Sequence, residues 1–165
     1  AINGSKGERM GSTIPGEAWP GRDVFRGELR RNGVLSSLII LAGPSFNSKE
    51  EAERFLDLAV ERQWKSAVVL AQAHQLLRAM LGMIRSINDR SYWMRVYAVC
   101  PRPVDWGKLV RGSQGAEEKD RFSHIADEFF RIPQYQTKGD LASWGELYDY
   151  YARRDADAKM KALAV

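Results

Sequence analysis

The sequence predicts an α/β protein built on a mostly parallel sheet with helices on its faces. Apolar, strand-like segments alternate with amphipathic helical segments between residues 34 and 100. Each helical segment is long enough to carry the chain back across a sheet, so consecutive strands would run parallel. The apolar segments are rich in valine, isoleucine and leucine, as in strands buried on both faces.

A long loop punctuated by glycines precedes the first helical segment. Residues 1–2, "AI", resemble the end of a strand, and "NGSKGERMGSTIPGEAWPG" follows them. A loop of this length within a compact domain is usually functional. The next segment, "RDVFRGELRRNG", predicts a short amphipathic helix. It is expected to end at Asn32-Gly33, because glycine tolerates the conformation that closes many helices.

Three predicted strands and two predicted helices follow in alternation. The strands are "VLSSLIILA", "SAVVLA" and "YWMRVYAVC". The first helix is expected to run from about Lys49 to Gln63, because Ser48 and Glu51 have the spacing of a capping box. The second helix opens at His74. Apolar residues recur on one face of each helix with a period near 3.6: Ala52, Phe55, Leu56 and Ala59 in the first, and Leu77, Met80, Leu81 and Ile84 in the second.

The C-terminal part, residues 117–165, is predicted to be helical. Its two helical segments are "EEKDRFSHIADEFFRI" and "LASWGELYDYYARRD", and Asp140 is the expected N-cap of the second. A chain of 165 residues can bury one sizeable core and is short for two. Residues 1–165 are therefore expected to form a single α/β domain.

Composition narrows the range of partners. The net charge of +4 comes from 25 basic and 21 acidic residues that are mixed along the chain without a polybasic block, which argues against nucleic-acid binding. The longest apolar run, "VLSSLIILAG", is well short of the ~18 residues that a membrane-spanning helix needs. The single cysteine, Cys100, cannot form an internal disulfide, so a cytoplasmic location is expected.

Three strand-to-helix junctions are the expected places for a ligand, because open α/β sheets bind ligands at the carboxyl ends of their strands. The first junction is "NGSKGER". Gly4 would let backbone amides approach a ligand closely, while Ser5 and Glu8 add polar and charged groups. An ordinary exposed loop explains this segment equally well, since it contains neither a dinucleotide-binding fingerprint nor a P-loop.

The second junction, "GPSFNSKEE", places polar side chains just before a helix. The amide groups and the positive dipole end of a helix N-terminus favour an anion. Helix capping alone would account for Ser48 and Glu51. Ser45 and Asn47 are not needed for the cap, so they are the stronger ligand-binding candidates at this junction.

The third junction, "AQAHQLLRA", carries His74 and Arg78 one helical turn apart. The helix dipole would lower the pKa of His74 and favour a neutral imidazole, which can exchange a proton or hydrogen-bond an oxyanion. Arg78 could bind a phosphate or carboxylate through two parallel hydrogen bonds. A surface histidine beside a surface arginine is the alternative interpretation.

Two other kinds of function are weighed against ligand binding. The five tryptophans and "YDYYARRD" could form an aromatic and basic surface on a non-catalytic interaction module, although aromatic residues at helical spacing are more often core. Metal-dependent hydrolysis has weak support, because two histidines and one cysteine supply no evident ligand set.

Two segments of the sequence resemble the YdcF-like domain family, which includes the SanA-like and ElyC-like envelope proteins. "SFNSKEEA" is similar to the family pattern S-x-N-T-x-E-x-A. "VVLAQAHQLLRA" is similar to V-T-x-x-x-H-x-x-R-A, but its histidine and arginine are four residues apart instead of three. Ser48 in the first pattern and Ala71 in the second each stand where the family usually has a threonine. Asn3-Gly4 stands where the family usually has a glycine pair. The resemblance covers roughly residues 1–100. The first strand of the family would lie upstream of Ala1, so the domain is expected to be N-terminally truncated relative to the family.

The resemblance implies a three-layer, Rossmann-like fold with helices on both faces and a pocket for an anionic, nucleotide-like or phosphorylated ligand. It implies a transferase or hydrolase in envelope-precursor metabolism, with a nucleotide or S-adenosylmethionine as candidate cofactor. His74 would be a hydrogen-bond donor to the ligand or the catalytic acid or base. A missing first strand would expose a sheet edge and so favour a homodimer. The ligand-binding residues would be Asn3, Gly4, Ser5, Glu8, Ser45, Asn47, Ser48, Glu51 and Arg78, without a metal.

Overall fold

A computed structural model describes residues 22–43, 45, 47–100, 103–111 and 118–163. The candidate ligand-binding residues of the first junction, Asn3, Gly4, Ser5 and Glu8, lie outside the described residues. The described chain contains five helices, α1 (Arg22–Arg31), α2 (Ser48–Glu61), α3 (Leu76–Asp89), α4 (Arg121–Thr137) and α5 (Trp144–Leu163), and four short strands, β1 (Ser66–Leu70), β2 (Arg95–Val99), β3 (Leu109–Arg111) and β4 (Glu118–Asp120).

The mixed α/β character expected from the sequence is confirmed. Strands β1 and β2 pair in parallel, from Ser66 opposite Arg95 to Leu70 opposite Val99, and α3 forms the crossover between them. Within the described residues this parallel sheet has two strands. A second pair, β3 and β4, is antiparallel and was not expected from the sequence.

The strand predicted for "VLSSLIILA" is wrong. Apart from an isolated bridge at Leu41, the described residues of this segment form no strand, and Ser36–Leu38 adopt a 3₁₀ turn. Leu35 and Leu38 are 66% and 71% exposed. The amide of Leu38 donates to the carbonyl of Leu35 over 2.9 Å, so this part of the segment forms a local turn.

The core lies where α2, α3 and α5 meet β2. The apolar faces predicted from the 3.6-residue period are confirmed, since their members are buried or packed against the buried cluster. Helix α1 ends as predicted, at Gly33 with a positive φ of 86°. The fully buried members of the core with the largest side chains are Leu56, Met80, Leu81, Ile84, Met94, Val96 and Ile132.

Two helix caps differ from the predicted ones. Asn47, and not Ser48, caps α2, because its Oδ1 accepts a hydrogen bond from the amide of Glu50 over 3.0 Å. Ser143 replaces Asp140 at the start of α5. The Ser143 Oγ accepts from the Glu146 amide, and a Glu146 carboxylate oxygen accepts from the Ser143 amide, which forms a capping box.

The C-terminal helices also differ in their bounds. Helix α4 begins at Arg121, capped by the Asp120 carboxylate, and continues through Pro133 to Thr137. Asp140 instead accepts a hydrogen bond from Lys49 over 2.8 Å and so ties the α4–α5 connection to α2. None of the described helices combines the length and the apolar composition that a membrane-spanning helix requires.

Candidate functional site

His74 lies in a 3₁₀ turn, Ala73–Gln75, that joins the carboxyl end of β1 to α3. Its side chain is buried, with 5% of the residue exposed. The buried Nδ1 atom has no hydrogen-bond partner among the described residues. Buried polar atoms without a partner are rare and often mark a functional position. The interpretation of His74 as a surface residue is therefore excluded.

The pKa of the His74 imidazole is lowered from its ordinary value. Burial is the largest cause, and the neighbouring imidazole of His124 is the second. Arg121 and Arg78 act in the same direction, while the Glu128 carboxylate opposes them. The direction agrees with the prediction from the helix dipole, but desolvation and nearby cationic groups are the cause. Burial and these charges therefore favour the neutral imidazole over the protonated one.

The second histidine, His124, comes from α4 and lies against the first. The two ring centres are 5.1 Å apart, with planes inclined by 27°. His124 is 3% exposed, and its Nε2 lies 2.9 Å from the carbonyl oxygen of Val110. Because a carbonyl oxygen can only accept, Nε2 donates this hydrogen bond. The Nδ1 of His124 lies 3.5 Å from a carboxylate oxygen of Asp127.

Arg78 projects from α3 onto a carboxylate of α4. Its Nε donates to Glu128 Oε2, and its Nη2 donates to Glu128 Oε1 over 3.2 Å. The side chains are 14% and 5% exposed, so this ion pair is largely buried. The Nη1 group donates to Ser48 Oγ, 3.2 Å away at the start of α2. Arg78 therefore connects three helices.

His74, His124, Arg78 and Glu128 form one largely buried cluster. The residues of the second junction differ in their contact with it. Ser48 contacts Arg78 directly, because Asn47 has taken the capping role. Burial raises the pKa of the Glu51 carboxyl, and the positive charge of Arg78 opposes that rise. Ser45 is buried at the same junction. The structure thus brings Ser48 and Glu51 to Arg78, whereas the Asn47 amide is engaged in the helix cap.

Two residues of the cluster, His124 and Glu128, were missed by sequence reasoning. They lie one turn apart on α4, and together with Ile132 they make up its buried face. Two aromatic residues of the helix point elsewhere, since Phe129 and Phe130 are 55% and 74% exposed. The spacing of His124 and Glu128 was visible in "HIADE", but nothing local indicates that this polar side of the helix is the buried one.

A separate cleft lies at the opposite end of α3 and has a volume of about 480 Å³. Trp93 and Tyr150 pack in its wall with ring centres 5.2 Å apart, and the guanidinium of Arg153 lies 3.9 Å from the Trp93 ring centre. Glu146 accepts a hydrogen bond from Asn88 at its edge. Its walls hold neither His74 nor Arg78, so this cleft is distinct from the histidine and arginine cluster.

Comparison with known proteins gives no relative: no family model, curated protein or solved structure matches this chain. Within the described ranges, no group of three or more His, Cys, Asp and Glu side chains is placed to hold a metal ion.

The chemistry available at the cluster is that of a neutral imidazole beside a guanidinium. If Nδ1 of His74 carries no proton, it could accept one; if it carries a proton, it could donate it. Arg78 carries five N–H donors, and the contacts with Glu128 and Ser48 account for three of them. Of the remaining two N–H groups, one belongs to Nη1 and one to Nη2.

Proposed function

We propose that this chain is a small-ligand-binding α/β domain of the YdcF-like, three-layer Rossmann-like type. Its ligand is anionic and nucleotide-like or phosphorylated, and Arg78 and the N-terminus of α2 bind the anionic group. The observation that carries the proposal is the buried His74 Nδ1 atom, which has no hydrogen-bond partner in the described part of the chain and lies one turn before Arg78. A polar atom in this position gains a hydrogen bond when a ligand supplies one.

His74 is the proposed acid or base of a transferase or hydrolase reaction. A neutral imidazole can take a proton from a nucleophile or, after protonation, return one to a leaving group. Burial favours the neutral form, which is the form a general base needs. Envelope precursors are the proposed substrates, and a nucleotide or S-adenosylmethionine is the candidate cofactor. The same proposal includes a cytoplasmic location and a homodimer. Light scattering would test the homodimer by measuring the molar mass of the protein in solution.

A thermal-shift screen of nucleotides, S-adenosylmethionine and isoprenoid phosphates tests ligand binding. A ligand that binds only the folded state raises Tm, by an amount that grows with concentration. We expect at least one of these compounds to raise Tm in the wild type, with a smaller rise in His74→Ala and Arg78→Met, each compared with its own ligand-free Tm. A screen in which no compound raises Tm would contradict the proposal.

Arg85→Met is the matched control for Arg78→Met. Arg85 lies two turns later on α3, where it pairs with Asp89 and Glu146 and has no contact with Glu128 or Ser48. The substitution removes the same charge from the same helix. We expect the ligand-induced rise in Tm to survive in Arg85→Met. An equal loss in both variants would indicate a general effect of net charge.

The alternative function is a non-catalytic interaction module. Two aromatic side chains of the C-terminal helices, Phe130 and Tyr148, are 74% and 75% exposed, which suits a surface for a protein partner. However, Tyr150 of the "YDYYARRD" segment is buried. Trp93 donates a hydrogen bond to Asp157 and its ring packs against the Arg153 guanidinium, so these two aromatic side chains already have partners within the chain. His74→Ala separates the two functions, because an enzyme would lose turnover whereas an interaction module would keep its partner affinity.

A further inference from the structure

The Glu128 carboxylate lies between two arginines. Its Oε1 accepts from Arg78 Nη2 over 3.2 Å and from Arg131 Nη1 over 3.4 Å, while its Oε2 accepts from Arg78 Nε. Glu128 is 5% exposed at its side chain, and Arg131 is 22% exposed. A single buried carboxylate therefore has one partner on α3 and a second partner one turn away on its own helix.

We propose that Glu128 determines the ligand specificity of the site, because its carboxylate occupies the place on Arg78 that the anionic group of the ligand takes. This inference rests on the proposed function. Two parallel N–H···O bonds from Nε and Nη2 are the geometry with which arginine binds carboxylate and phosphate groups. A ligand that offers two such oxygens reproduces these bonds and displaces the side chain.

Arg131 makes the displacement physically reasonable. A buried carboxylate that loses its only cationic partner is strongly unfavourable. Glu128 already contacts Arg131, so rotation of its side chain away from Arg78 would leave it paired. The two arginines thus give Glu128 two alternative positions, one that closes the site and one that opens it.

The same exchange selects the chemical class of the ligand. A neutral acceptor would replace two charge-assisted hydrogen bonds by weaker ones and cannot compete with Glu128. An anion with at least two oxygens on one centre, as in a carboxylate or a phosphate monoester, restores both bonds. His74 lies near enough for the Glu128 charge to act on its imidazole, so a bound anion would also change the surroundings of His74.

The test titrates inorganic phosphate, and separately acetate, into the folded protein and follows the His74 side-chain resonances by NMR, assigned with His74→Gln. Glu128→Gln keeps the size of the side chain and removes the competing charge. We expect this variant to bind the preferred anion about tenfold more tightly than the wild type, since the ion pair between Arg78 and Glu128 no longer has to be broken. The anion whose affinity rises more in Glu128→Gln identifies the chemical class of the ligand, carboxylate or phosphate.

Arg131→Met provides a second variant with Glu128 intact. Without Arg131 the displaced carboxylate has no cationic partner, so we expect anion affinity to fall several-fold. Asp57→Asn is the control, because it removes a carboxylate on α2 that pairs with Arg90 outside the site. Its anion affinity should stay within about twofold of the wild type, as expected for an exposed charge.

The outcomes separate the two proposals. If neither anion moves the His74 resonances in any variant, the proposed ligand site itself is wrong. If the wild type and Glu128→Gln bind the anion equally, or Arg131→Met binds it as the wild type does, the site stands and the role of Glu128 is overturned. An increase in anion affinity in Asp57→Asn equal to that in Glu128→Gln would also overturn the role of Glu128, because the change in net charge would then explain both increases.

Discussion

The imidazole ring of His74 lies against that of His124 in a buried position, with the ring centres 5.1 Å apart. One ring comes from the end of β1 and the other from α4, 50 residues later. The neighbouring His124 imidazole contributes to the lowered pKa of His74, after burial. This relationship brings the C-terminal helical part to the junction at which the sequence predicted a ligand site.

Acidification should destabilise the protein through His74. The pKa of His74 is lowered in the folded state from an ordinary value of 6.5, so the unfolded chain binds more protons at this position below about pH 6.5. The free energy of unfolding then falls as pH drops from 6.5 toward the folded-state pKa, by at most about 1.4 kcal/mol per pH unit for one proton.

His74→Phe, which keeps an aromatic ring beside His124, isolates this contribution. Urea unfolding at pH 7.5, 6.5 and 5.5 should show a shallower decline in the free energy of unfolding for the variant than for the wild type. The carboxylates are present in both proteins, so their common contribution cancels in the comparison. Equal slopes in the two proteins would show that His74 is not buried in its neutral form.

The Arg78–Glu128 pair should behave as a buried ion pair. Removing one partner, as in Arg78→Met, leaves the other buried without compensation and should cost about 3–5 kcal/mol of stability. In Arg78→Met/Glu128→Leu, both charges are gone and much of this loss should be recovered. The exposed Arg31–Glu28 pair is the control, with side chains 69% and 53% exposed, and its removal should change stability by about 0–1 kcal/mol.

Chemical denaturation of the single and double variants measures this coupling. A coupling free energy near zero for Arg78 and Glu128 would show that the pair is open to solvent. It would then contradict the closed arrangement from which the competition between Glu128 and a ligand was inferred.

The Tyr150 hydroxyl links α5 to the strand β2. It accepts from the Val96 amide over 2.6 Å and donates to the Met94 carbonyl over 2.9 Å, and the residue is 5% exposed. Tyr150→Phe leaves both backbone groups without their partner and should lower the free energy of unfolding by about 1–3 kcal/mol. Tyr148→Phe is the matched control, since Tyr148 is 75% exposed, and should stay within about 0.5 kcal/mol.

The Tyr150 phenol also gives a spectroscopic check. Burial raises its pKa to about 12 from 10. In an ultraviolet titration of the folded protein, Tyr150→Phe should therefore lose a phenol that ionises late. If Tyr150→Phe removes a phenol that titrates near pH 10, the hydroxyl is not buried at the Val96 and Met94 backbone.

Local patterns predicted the elements whose structure depends on nearby residues. The apolar period of 3.6 identified α2 and α3 together with their buried faces, and Gly33 marked the end of α1. The parallel pairing of β1 and β2 followed from the length of the crossover helix. The cap of α2 was misplaced by one residue, because Asn47 and Ser48 are both good caps and only backbone geometry chooses between them.

The strand expected in "VLSSLIILA" shows the limit of such patterns. Its composition suits a buried strand, but a strand also requires a neighbour to pair with its backbone groups. The described structure instead turns at Ser36–Leu38 and leaves Leu35 and Leu38 exposed. Apolar composition therefore identified a β-prone segment without determining its pairing.

By itself, the sequence determined the helices and strands around the third junction and the one-turn spacing of His74 and Arg78, because these depend on neighbours along the chain. Only the tertiary structure decided that Arg78 faces Glu128, that His74 lies against His124, and that Ser48 contacts the guanidinium. Contacts between residues 30 to 50 positions apart depend on how whole helices pack. The periodicity of each helix shows which residues can be buried together, but it does not identify the partner helix.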